Sequence, residues 1–184
     1  MSRKYFLWVD MEMTGLFPET DSILEIAAIV TDKHLEILDT APEFVIKHEA
    51  DVFARMDKWN QKHHSKSGLW EKAIHSSTSI KEAEDQLLNF LSNYFSLKEK
   101  AILAGNSIWH DRRFIIKHMP RLDELLHYRM VDVSSAKLLC QSWYPKIKIP
   151  KKQDAHRAMD DIRESIEELK FFRQTIFKAP SENT

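Results

Sequence analysis

A single cysteine, Cys140, leaves the chain without a partner for an intrachain disulfide, which suits a reducing compartment. The cysteine itself reads as a small core or helix-face residue. No apolar run approaches the roughly 20 residues of a membrane span. The opening MSRKYFLWVD has too short an apolar run, with acids too early, for a signal peptide. These absences predict a cytoplasmic protein with no membrane partner. Net charge is also nearly absent, at −1, so no global basic field exists to coat a long polyanion, and any nucleic-acid contact must be local and short. What is present, 43% hydrophobic and 30% charged residues among 184, is globular, and the length suffices for a substantial core. With no repeat, low-complexity segment or linker, the chain reads as one domain over residues 1–178 and a frayed tail, 179–184.

Hydrophobic patterning predicts three initial strands in an antiparallel meander, KYFLWVD, ILEIAAIVTD and PEFVIKHE. Glu25 interrupts the second, and an acid inside an apolar strand either sits at a sheet edge or faces a polar site; we read it as an edge. A polar, helical stretch carrying Trp59, His63, His64 and Trp70 follows. The segment STSIKEAEDQLLNFLSNYF is a packing helix with a Ser79–Glu82 capping box and a stripe through Ile80, Ala83, Leu87, Leu88, Leu91 and Phe95. Next come AILAGN as a strand, SIWHDRRFIIKHM as a helix with Asp111 in its first turn, a short helix at PRLDELL, a strand at YRMVDV and a helix at SSAKLLCQSWY with Ser134 near its start. Alternating strands and helices predict that this part of the sheet is parallel. YPKIKIPKK is a basic loop, and a final helix covers AMDDIRESIEELKFFRQTIF.

The acids carry the chemistry. Asp10 and Glu12 lie one residue apart at the end of the first strand, so their side chains share a face. They are either solvated strand-end acids or half of a cation site, since like charges that close repel. In the final helix Ile162, Ile166, Leu169 and Ile176 define the buried stripe. Asp160 falls about 160° from its centre and Asp161 about 100°, so Asp161 flanks the core and Asp160 faces water. For His156 to share a pocket with Asp161 it must precede the helix, which is therefore predicted to start just after it.

The acids in VDMEMTGL, GNSIWHD and HRAMDDIRES resemble the three motifs of the DEDDh 3′-to-5′ exonucleases. From Lys4 to about Phe177 the chain is similar to the oligoribonuclease family within that group, through DMEMTGL, RMDKWNQKHHSKSGL, HYRMVDVSS and HRAMDDIRESI. The resemblance implies an RNase H-like (DnaQ-type exonuclease) α/β fold, a mixed five-stranded sheet with helices on both faces. It implies two divalent cations held by Asp10, Glu12, Asp111 and Asp161, with His156 as general base, and a homodimer acting on short single-stranded RNA. Mg²⁺ or Mn²⁺ suits an all-oxygen ligand set. Zinc does not fit His63–His64, which lack a cysteine or spaced histidine to complete a tetrahedron.

By the same resemblance Leu16 wedges between two bases, and Trp59 and His64 contact the scissile end. Ser107, Arg129 and Ser134 cap a 5′ phosphate, with Tyr128 supplied by the partner subunit. Taken singly, these residues have ordinary readings: Leu16 as packing, Trp59 as core, Arg129 in a surface salt bridge, and Lys146, Lys148, Lys151 and Lys152 as a solvated loop. The expected activity is hydrolysis of RNA oligomers of a few nucleotides, dinucleotides above all, to mononucleotides. The alternatives are an exonuclease on longer RNA or DNA ends and a catalytically silent binding protein on the same fold.

Overall fold

The computed structural model describes residues 4–150 and 157–177. His156, Lys151, Lys152 and the tail 179–184 lie outside them. The chain runs through β1 (Tyr5–Met13), β2 (Ile23–Asp32), β3 (Ile37–Thr40), β4 (Phe44–Val45), α1 (Asp51–Arg55), α2 (Lys58–Lys66), α3 (Leu69–His75), α4 (Ile80–Leu91), β5 (Ala101–Gly105), α5 (Trp109–His118), α6 (Pro120–Leu125), β6 (Leu126–Asp132), α7 (Val133–Trp143) and α8 (Ala158–Thr175). The strands form one sheet in the order β3-β2-β1-β5-β6, with β4 also pairing with β2. β1 pairs antiparallel with β2 and parallel with β5, and β5 pairs parallel with β6, so the sheet is mixed as expected.

Two expectations need correcting. The sheet has six strands, not five, because β2 is flanked by two short strands end to end: β3 against Ile29–Thr31 and β4 against Glu25 and Ile26. The segment PEFVIKHE supplies only the two-residue β4. The longer partner, ILDT, is half exposed and too short to show alternation. Secondly, Glu25 is on no edge. β2 lies between β1 and the β3/β4 pair, and Glu25 is 0% exposed.

Alternation along β1 divides the core. Leu7, Val9 and Met11 join Leu87 and Leu91 of α4, Phe114 and Ile115 of α5 and Leu122 of α6 in one layer. Trp8 joins Cys140 of α7 and Ile162, Ile166 and Phe172 of α8 in the other. Asp10 and Glu12 share the Trp8 face by the two-residue period, so they are directed to the side covered by α8. α4 begins with the expected capping box, Ser79 and Glu82 satisfying each other's backbone amides. Leu87 is fully buried in the first layer. Its truncation in Leu87→Ala should cost about 2–5 kcal/mol through lost burial and the cavity left behind, read as a lower urea midpoint with an unchanged denaturant slope.

Candidate active site

β1 ends in the site. Carboxylate oxygens of Asp10, Glu12 and Asp161, the last in the first turn of α8, lie within 4.8 Å of one another. α8 begins at Ala158, just after His156 as expected, and Asp160 is exposed while Asp161 is not. Burial, reinforced by the charges of Asp161 and Glu25 and opposed by Arg157, pushes the Glu12 carboxyl up from 4.5 to about 7. Asp111, buried in the first turn of α5, stands outside that group of three. Burial raises its carboxyl well above the ordinary range, backbone amides of Asp111 and Met11 oppose this by hydrogen bonding, and the Glu12 charge adds to the rise. The amide of Met11 thus ties Asp111 to the strand that carries Asp10 and Glu12. An all-oxygen set with strained like charges fits a hard divalent cation, which would relieve the repulsion.

His64 on α2 is buried beside this group. Its Nε2 donates to the Met13 carbonyl at 2.9 Å, and its Nδ1 is 3.9 Å from a Glu12 oxygen. Trp59, one turn earlier, is not core: it is 56% exposed and stacks on His63 with ring centroids 3.8 Å apart.

The turn after β1 displays Leu16 and Phe17, 61% and 65% exposed, so Leu16 does no packing in the core. Asp21 builds this turn by accepting from Thr14 Oγ1 at 3.0 Å and from the Phe17 amide at 2.9 Å. Gly15 leaves room for this carboxylate, since a Cβ would stand 2.5 Å from the Asp21 oxygens and force Asp21 to shift from its place in the turn.

Ser107 and Ser134 come together, their hydroxyls 3.1 Å apart. Ser107 takes a left-handed backbone, φ 49°, unusual for serine. Asp132 stabilises that turn by accepting from the amides of Ser107 at 3.0 Å and Ser134 at 2.9 Å. Ser134 Oγ donates to Asn106 Oδ1 at 3.0 Å, and Asn106 Nδ2 donates to Ser165 Oγ at 2.7 Å and Glu168 at 3.1 Å. Ser165 Oγ donates to the Asp161 carbonyl at 2.7 Å, so the serine pair and the acid group share one hydrogen-bonded frame. Arg129 is not drawn into it. It lies over the Tyr128 ring at 5.2 Å and lines a cavity of about 570 Å³ with Lys4, Tyr5, Tyr94, Lys100 and His127. Tyr128 is 74% exposed and stacks on His127.

Sequence reasoning missed Phe17, Asn106, Asp132 and Ser165. Phe17 was signalled by two apolar residues in a turn, and Asp132 by an acid just before a helix start. Nothing local pointed to Asn106 or Ser165, whose mutual hydrogen bond joins positions 59 residues apart.

An exonuclease family model, of the RNase T type, matches residues 7–169, which defines the chain as an exonuclease. It is 49% identical over 175 residues to the oligoribonuclease of Dichelobacter nodosus, covering 95% of this chain and 96% of that one. It is 47% identical to a probable oligoribonuclease of Dictyostelium discoideum, covering 95% and 92%. The chain therefore belongs to the oligoribonuclease family, and it is a nuclease that hydrolyses RNA from an end. The fold also matches Escherichia coli exonuclease I solved with single-stranded DNA, with a TM-score of 0.74 at 15% identity, over 95% of this chain and 41% of that one. This chain spans about two fifths of that neighbour's length.

Glu12 titrates with a folded pKa above its unfolded one, so its contribution favours the fold below about pH 4.5 and is lost as pH rises through about 7, a difference of roughly 3 kcal/mol. In chelator, the melting temperature should therefore fall between about pH 5 and pH 8, and millimolar Mg²⁺ should raise it more at the higher pH, where fewer protons compete. Scanning calorimetry at both pH values checks this. Asp161→Ala should abolish turnover, by about a thousandfold or more, and Asp160→Ala should change it less than about threefold; assays on a short RNA separate the two.

Proposed function

We propose that the chain degrades very short single-stranded RNA, dinucleotides above all, to 5′-mononucleotides from the 3′ end. The observation carrying this reading is the group formed by Asp10, Glu12 and Asp161 at the foot of the exposed Leu16–Phe17 turn. Asp10, Glu12, Asp111 and Asp161 would hold two divalent cations, Mg²⁺ or Mn²⁺. Bound there, such ions would make water nucleophilic near neutral pH and would neutralise charge growing on the phosphate and the departing 3′ oxygen. His156, one residue before Arg157, is the base that takes the proton from the attacking water; a neutral imidazole suits that task near pH 7.

The remaining residues hold the substrate. Leu16 and Phe17 offer an apolar wedge for two unstacked bases, and Trp59 a face near the scissile end. The hydroxyl of Ser107 donates to a 5′ phosphate, that of Ser134 does so by turning from Asn106 Oδ1, and Arg129 joins them as a charge-assisted donor. Arg129 must turn from its present cavity to do so. Tyr128, projecting from the edge strand β6, closes the cap across a homodimer interface.

A cap that grips a 5′ phosphate leaves longer RNA with unfilled contacts, each worth roughly 1.5–3 kcal/mol. The catalytic efficiency on a 5′-phosphorylated dinucleotide should exceed that on a hexamer by about tenfold or more. Arg129→Ala should shrink this ratio mainly by slowing the dinucleotide. Time courses on labelled RNAs of graded length test both, and equal efficiency on the two substrates would return the protein to a general exonuclease.

A further inference from the structure

The end of α8 that carries Asp161 has no cap of its own. Arg157 occupies the N-cap position in an extended conformation, and its side chain makes no capping hydrogen bond. The missing acceptor comes from the sheet: Glu25 Oε2 accepts from the Ala158 amide at 3.1 Å. The same carboxylate grips the Arg157 guanidinium, with Nε 3.1 Å from both Glu25 oxygens and Nη2 2.6 Å from Oε1, while Glu43 holds Nη2 from the outside at 3.2 Å.

Two consequences meet at the acid group. Glu25 stands directly opposite Glu12 in the β1–β2 register, where two bare carboxylates on one face would repel, and Arg157 supplies the compensating charge. The carbonyl of Arg157 also accepts the first helical bond from the Asp161 amide, at 3.0 Å. Clamping Arg157 therefore sets where Asp161 starts its turn relative to Glu12.

We propose that Arg157, clamped by Glu25, is a positioning residue that docks the start of α8 on β2 so that Asp161 meets Asp10 and Glu12 in metal-binding geometry. The inference rests on the metal-dependent reading of that group. Arginine suits the role because its planar fork engages two carboxylate oxygens at once, whereas lysine offers a point charge without the fork.

Arg157→Lys keeps the charge and removes the fork. Mn²⁺ binding to the substrate-free variant, followed by electron paramagnetic resonance, should weaken about tenfold. Turnover at saturating Mn²⁺ should fall by about tenfold or more, with KM for a dinucleotide held within about twofold, because the substrate contacts are elsewhere. A folded variant with a lower melting temperature but wild-type Mn²⁺ affinity and kcat would overturn the proposal and leave the clamp a stability device. Should Arg157→Lys not fold, Glu43→Gln loosens the outer grip without stranding a buried charge. Two- to threefold weaker Mn²⁺ binding in that variant supports the proposal, and unchanged binding overturns it. Wild-type protein that binds no Mn²⁺ would instead defeat the metal reading on which the inference rests.

Discussion

Three carboxylates within 4.8 Å of one another set the problem that the surrounding structure solves. Mutual repulsion favours splaying them apart or protonating them, and at Glu12 burial, the larger effect, and the Asp161 charge together hold the carboxyl above its ordinary range. The fold resists splaying by building each acid on an element that cannot move far. β1 is anchored to β5 through Phe6, Leu7 and Trp8, and to β2 along its length, so Asp10 and Glu12 are fixed by the β2 register opposite Ala27 and Glu25. Asp161 rides on α8, whose Ile162, Ile166 and Phe172 are sunk in the core beneath. A rigid cluster of this kind pre-pays the ordering that a loop would have to undergo at each cation encounter.

The polar frame around the cluster extends the same logic. Asn106 sits where the turn after β5 meets α8 and bonds to both sides, to Ser134 and to Ser165 and Glu168. Lys137 of α7 closes on Glu168 at 3.0 Å. The serine pair is thereby referenced to the helix that carries Asp161, through side chains fixed by one another. The strained backbone of Ser107 persists because Asp132 over-determines the turn.

Features that depend on local periodicity were legible in the sequence. The capping box of α4 and the choice of Asp161 over Asp160 each follow from one element's own pattern, whereas the start of α8 just after His156 follows from requiring His156 and Asp161 to share a pocket. Features that depend on partners far along the chain were not. Glu25 stood out as an acid in an apolar run, but its partner Arg157 is 132 residues away, so local reasoning reached for an edge. Leu16 and Trp59, single apolar residues with core as their default, are exposed because the Asp21 turn and the face of α2 turn them outward. β3 escaped notice because four half-exposed residues carry too little alternation. The identity of the acid group came from long motif matches, which no single acid pair could supply.

The division of one flank of β2 between β3 and β4 bears on solubility. A ten-residue strand as apolar as ILEIAAIVTD, left with a bare ladder, would be a template for adding strands from other molecules. Here its outer side is covered by pieces of four and two residues, with Pro42 between them unable to donate a hydrogen bond. What faces outward is thus a broken, short edge, too discontinuous to seed a growing sheet.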